Sequence, residues 1–164
     1  MNKSMELAVS LVIIIIINIT LIIYINKRLN RGVTVKEGIE VGSEFPVVMA
    51  ENIEGDYSSI KKEKARLFIF IDLECSECMK LFSSLKVYQK SYLDGIIFIL
   101  IKSNLNKKLI SKSSIKDQAL FIEEQDILGT YNISSLPFFI GISHTGIVTQ
   151  RGYISKHNLV DFIA

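Results

Sequence analysis

The chain has 164 residues, 49% of them apolar, with 19 basic side chains against 17 acidic ones and two cysteines. That length allows about one domain, and the apolar content excludes a disordered or low-complexity chain. The net charge of +2 is unevenly spread. Lys3, Lys27, Arg28, Arg31 and Lys36 stand against only Glu6 and Glu37 ahead of residue 40, and the remainder holds 14 basic and 15 acidic residues. No basic face is left for phosphates, so nucleic acid is not an expected partner.

Residues 1–6 are a short N-terminal tail. Residues 7–25 form an uncharged apolar run broken only by Ser10, Asn18, Thr20 and Tyr24. As a helix it spans about 28 Å, close to the roughly 30 Å hydrocarbon core of a bilayer, and it reads as a single transmembrane anchor. It is longer than a signal-peptide core, and no small-residue cleavage site follows it, so the anchor is expected to be retained. Residues 26–40 read as a polar juxtamembrane tether and residues 41–164 as one domain. The positive residues Lys27, Arg28 and Arg31 would place that domain in the cytoplasm by the positive-inside rule. The cysteine chemistry described below favours the opposite side.

Within the domain, Val47–Met49 is a short strand candidate, and Gly55-Asp56 is a turn ahead of Ser58. Residues 65–73 (ARLFIFIDL) form a continuous apolar run, as expected of a strand buried on both faces. Leu81, Phe82, Leu85, Tyr88 and Tyr92 then recur at helical spacing, and Asp94-Gly95 ends the pattern. Residues 96–101 (IIFILI) are a second buried strand. Residues 105–114 are polar and carry no clear period. Residues 119–128 read as a helix stopped at Gly129. Pro137–Ile142 and Ile147–Arg151 form a hairpin around Ser143-His144-Thr145-Gly146. Ser155 is a candidate cap for a last helix through Phe162. Strands alternating with helices, closed by a hairpin, predict an α/β sandwich with a mixed sheet.

The chemistry falls on Cys75-Ser76-Glu77-Cys78, where a buried strand gives way to a helix. Two sulfurs three residues apart at a helix start can reach disulfide distance. Cys75, facing the free N–H groups and positive end of the helix, is the candidate nucleophile, and Cys78 the resolving thiol. Other readings compete. A zinc site lacks ligands at the usual spacing, since only His144 and His157 remain. A static disulfide closes too small a loop to stabilise much, and two inert buried cysteines are the third option. Asp72, Glu74 and Glu77 surround the pair, and negative charge opposes a thiolate, which favours a reductase over a strong oxidant. The opposing reading has these carboxylates pointing into water and screened.

The segments FIDLECSEC and, about 60 residues on, YNISSLPFFIGISHTGIVTQRGYIS resemble the thioredoxin superfamily, and most closely its membrane-anchored thiol–disulfide oxidoreductases of the TlpA type. Gly42-Ser43-Glu44-Phe45-Pro46 is similar to the G-x-x-x-P entry of that branch. The resemblance implies a thioredoxin-like three-layer sandwich with a mixed central sheet, preceded by one transmembrane helix. It also implies that Pro137 is a cis-proline, with the Leu136 backbone left to pair with an extended substrate. An ordinary trans-proline starting a strand is the alternative. His144 is expected to be exposed loop. The pattern departs from the branch at Leu73 and Glu74, where aromatics are common, and at Leu81 and Ser83, where a Glu and a Pro are common. Ile69 stands where thioredoxin carries its acid, so no proton-relay acid is identified.

The expected function is reduction of disulfides in exported proteins by the Cys75–Cys78 pair, with no metal and no organic cofactor. The expected partners are the membrane, an exported cysteine-containing client protein or peptide, and a membrane-embedded thiol electron donor. The expected location is the cell membrane, with the domain outside the cytoplasm. Two alternatives stand beside it: a non-catalytic thioredoxin-like accessory that binds a peptide or membrane partner, and an inward-facing domain whose thiols stay reduced.

Overall fold

A computed structural model describes residues 12–22, 36–60, 66–85, 88 and 90–163. The chain divides into two units, Met1–Val35 and Lys36–Ala164. In the first, residues 12–22 are helical (α1), and Val12–Ile17, Ile19, Leu21 and Ile22 are exposed. Its two polar side chains turn back on the helix: Asn18 Nδ2 donates to the Ile14 carbonyl at 2.9 Å and Thr20 Oγ1 to the Ile16 carbonyl. No helix among the described residues is long and apolar enough to cross a membrane. The run predicted over residues 7–25 extends beyond the described residues at both ends.

The second unit is built on a mixed sheet of β1 (Met49–Glu51), β2 (Tyr57–Ser59), β3 (Leu67–Ile71), β4 (Ile96–Ile101), β5 (Ala119–Ile122), β6 (Phe138–Ile142) and β7 (Val148–Tyr153). The order across the sheet is β2-β1-β5-β4-β3-β6-β7. β3, β4 and β5 run parallel, and β6 and β7 continue the sheet antiparallel beyond β3. β3 lies inside the sheet between β4 and β6, and all five of its residues are buried. That is why its sequence is continuously apolar instead of alternating. On one face Ile69, Ile71, Phe98, Leu100 and Phe121 meet Leu81 and Leu85 of α2 (Ser76–Leu85), Ile110 of α3 (Asn104–Ile110) and Leu159. On the other, Phe45 stacks on Phe68 at 4.2 Å, and Tyr131 tilts against Phe70 at 4.9 Å. Cover on both faces makes the three layers.

The predicted elements at 65–73, 96–101, 137–142 and 147–151 are present as β3, β4, β6 and β7, and the short strand lies at Met49–Glu51 instead of Val47–Met49. The helix predicted over 119–128 is a correction. Ala119–Ile122 is strand β5, paired in parallel with β4 from Phe98↔Ala119 to Ile101↔Ile122, and only Glu124–Gly129 is helical (α4). A four-residue apolar run has no readable period, and pairing with β4 decides it. The polar stretch 105–114 holds most of α3, whose cap is Ser103: its hydroxyl accepts from the Asn106 amide at 3.1 Å. The helical pattern carried to Tyr92 also fails. α2 ends at Leu85, and in the 3₁₀ turn Lys90–Leu93 it is Leu93 that is buried while Tyr92 is exposed. Ser155 caps no long helix. It closes a turn on Asn158 Oδ1, and α5 covers only Val160–Ile163.

Candidate functional site

β3 delivers the chain into a tight turn from Asp72, and the Cys75 amide donates to the Asp72 carbonyl at 3.0 Å. Cys75 precedes the first residue of α2, and its own carbonyl accepts from the Met79 amide at 3.0 Å. The first sulfur is thereby held at the N-terminal end of a helix, where backbone donors face outward. Cys78 lies one turn further and is fully buried among Ile69, Ile71, Leu73 and Leu81. Both are free thiols. Burial pushes the Cys78 thiol up to about 12, and the neighbouring Cys75 and the charge of Asp72 push the same way, against a hydrogen bond from the Asp72 backbone. Cys75 is half-buried and reachable.

The strand-entry loop of β6 completes the site. The Leu136–Pro137 peptide bond is cis, the geometry that the resemblance implied. The Cys75 thiol points at the Leu136 carbonyl oxygen, 3.8 Å away across 61 residues of sequence. Cys75, Cys78, Leu136 and Pro137 are thus brought to one end of the sheet, between the start of α2 and the start of β6. His144 is exposed in the β6–β7 turn. No cluster of three or more His, Cys, Asp or Glu side chains able to hold a metal occurs among the described residues.

The acidic setting is narrower than the sequence implied. Glu74 and Glu77 are exposed, and Glu77 pairs with Lys80 at 2.5 Å. Exposed carboxylates, one of them paired, act weakly on a buried sulfur. Asp72 is the carboxylate whose charge reaches Cys78.

Asn106 was not anticipated. Fully buried on α3, it accepts from the Leu73 amide at 2.9 Å and donates from Nδ2 to Asp72 Oδ1 at 3.1 Å and to the Ile101 carbonyl at 2.7 Å. Asp72 Oδ1 also accepts from the Glu74 amide at 3.1 Å. One amide side chain therefore ties the turn ahead of Cys75 to the end of β4. The signal that could have found it is Ser103, whose cap defines the helix start and so the inward face of Asn106.

No protein-family model matches the chain, and a search of curated proteins found no match. Solved structures do match in fold. A Chlorobium tepidum protein assigned as the thiol:disulfide interchange protein DsbE is 16% identical with a TM-score of 0.61, over 76% of this chain and 96% of that one. A thiol:disulfide interchange protein from Bacteroides sp. is 17% identical with a TM-score of 0.56, over 76% and 91% of the two chains. StoA from Bacillus subtilis is 14% identical with a TM-score of 0.55, over 73% and 98%. At these identities the likeness shows the fold alone, a thioredoxin-like fold over about three quarters of the chain.

Proposed function

We propose that the chain is a membrane-anchored thiol–disulfide oxidoreductase that reduces disulfides of exported proteins through Cys75 and Cys78. The observation that carries this reading is the pairing of a reachable thiol at the start of α2 with a second, buried thiol one turn behind it, the first aimed 3.8 Å from the Leu136 carbonyl oxygen. Cys75 attacks one sulfur of a client disulfide as the thiolate, forms a mixed disulfide and expels the other client sulfur. Cys78 then attacks the Cys75 sulfur, the second client thiol leaves, and a Cys75–Cys78 disulfide remains. Two electrons have passed to the client. The thiol of Cys78, pushed up to about 12, must lose its proton to solvent before this attack, and the departing client thiolate takes one up afterwards. A dithiol donor in the membrane reverses the oxidation by the same exchange.

The anchor reading draws support from residues 12–22, an uncharged helix whose Asn18 and Thr20 side chains bond their own backbone. Groups placed in lipid need such internal partners. The membrane would confine the domain to the surface where donor and exported clients meet it. The pair needs no metal and no organic cofactor, because the two sulfurs carry the electrons.

The experiment is exchange of the full-length chain with a peptide disulfide in detergent, wild type against Cys75→Ser. The reading expects wild type to reduce the peptide and the variant to lose all reduction. Equal rates for the two proteins would remove Cys75 as nucleophile.

A further inference from the structure

Residues 37 and 38 are locked onto the loop that faces Cys75. The Glu37 carboxylate accepts from the Ser134 hydroxyl at 2.7 Å, the Ser134 amide at 3.3 Å, the Ser135 amide at 3.2 Å and the Ser135 hydroxyl at 3.4 Å. These two serines immediately precede Leu136-Pro137. Gly38 continues the contact on either flank. Its amide donates to the Asn132 carbonyl at 2.7 Å, and its carbonyl accepts from Arg151 Nη1 at 2.5 Å. Its left-handed backbone, at φ +81°, lies so close to Phe138 that a Cβ would stand 2.7 Å from that ring. The segment therefore touches the loop before the proline and the strand after it.

We propose that Glu37 is a positioning residue for this loop: by gathering the amides and hydroxyls of Ser134 and Ser135 it holds the Leu136 backbone in register to receive an extended disulfide substrate beside Cys75. The loop needs such a hold. Residues 131–137 run from α4 to β6 without regular structure, and Asn132 is left-handed at φ +54°. An irregular segment has no ladder to fix its carbonyls, so external partners must do it. A carboxylate is suited to the task because charge-assisted hydrogen bonds are the stronger kind, and one group can take several donors at once. The Ser134 hydroxyl is the largest influence on Glu37 and holds its carboxyl below the usual range, so the acceptor stays ionised. Glu37 is separated from the loop by 97 residues in sequence and belongs to the stretch that leads in from the proposed anchor. The entry of the chain into the domain thus also forms the backing of the substrate loop.

The inference rests on the redox reading, and the test separates the two. Full-length wild type and Glu37→Gln, in detergent, are assayed against a peptide disulfide and against a small aromatic disulfide that has no peptide groups to pair with the loop. Started from the reduced dithiol and followed through a single turnover, Glu37→Gln is expected to lose about tenfold in the second-order rate constant for the peptide, the size set by losing charge-assisted bonds. Its rate with the small disulfide stays at the wild-type value. Ser134→Ala combined with Ser135→Ala keeps the amide donors and gives the same selectivity with a smaller loss, and serves if Glu37→Gln folds poorly. A loss shared equally by both substrates marks a purely structural seal and overturns the inference, as does no loss at all. Wild type inert toward both disulfides overturns the redox reading and this inference with it. Wild type active on both leaves the redox reading standing whatever the variants do.

Discussion

Glu51 and Cys78 are both titratable groups taken out of water, and the domain treats them in opposite ways. On β1, toward the outer edge of the sheet, Glu51 is buried beside two ammonium groups. Lys107 first and Lys102 second hold its carboxyl down to about 2, with Tyr57 donating from its hydroxyl at 3.1 Å. At the β3–α2 junction Cys78 has no ammonium partner that shifts it, and burial pushes its thiol up to about 12. A buried charge must be paired to be tolerated, whereas a thiol can be buried neutral. The edge cluster therefore fixes a strand, and the junction holds a neutral, protonated thiol on which the proposed exchange would draw.

Removing the stored thiol breaks the comparison most severely. Cys78→Ala is expected to end turnover while leaving Cys75 reactive, so that a peptide disulfide accumulates as a one-to-one mixed disulfide on Cys75. Intact mass before and after reductant shows the adduct. Wild type should show none once its single turnover is complete, since the proposed attack by Cys78 releases the peptide.

Asn106→Ala acts next. It strands the Leu73 amide and the Ile101 carbonyl, both otherwise satisfied by the one side chain. Leaving buried polar groups unmade is expected to lower unfolding free energy by about 2–3 kcal/mol, measurable by denaturant titration. Exchange should slow as well, since the same side chain steadies the turn ahead of Cys75.

The pH dependence of the closing step sharpens the chemical half of the comparison. Attack by Cys78 requires its thiolate, so single-turnover release from the mixed disulfide should rise about tenfold per pH unit from pH 7 to 9 without levelling. The sign for stability runs the other way. A thiol raised in the folded state leaves stability flat below its ordinary range near 9 and erodes it as pH climbs toward 12. On one preparation the rate should therefore climb from pH 7 to 9 while this thiol's contribution to stability stays constant.

Glu51→Gln is the mildest change. A carboxyl lowered by its lysines supports the fold above the ordinary carboxylate range, and that support fades as pH falls toward 2. The variant should lose stability at neutral pH, show a flatter acid-denaturation profile, and exchange disulfides at the wild-type rate. A changed exchange rate would join two regions that the account keeps apart.

The sequence was most legible where a short stretch carries its own meaning. Leu67–Ile71 and Ile96–Ile101 are apolar without a break because both faces of the central strands are covered. Cys75 and Cys78 declare themselves by spacing, and Pro137 by the segment around it. β5 was mistaken for the start of a helix because ALFI is too short to show a period and only its pairing with β4 makes it a strand. Asn106 and Glu37 were illegible for a different reason. Each is a polar residue in a polar stretch, and each gains its role from partners that only the folded chain brings near, at separations of 33 and 97 residues. The charge reading of the site was half right in kind: Asp72 acts on Cys78, while Glu77 is spent on Lys80.

The central claim is that Cys75 and Cys78 form one reversible two-electron couple. Its most direct test is equilibration of the full-length chain, in detergent, with graded thiol–disulfide buffers, scoring the Cys75–Cys78 disulfide by mass after alkylation. The account predicts a single two-electron transition near or below about −250 mV, the range of a reductant. A transition near about −120 mV would reverse the direction proposed here. Failure of the two thiols to join at any buffer ratio would contradict the redox account outright.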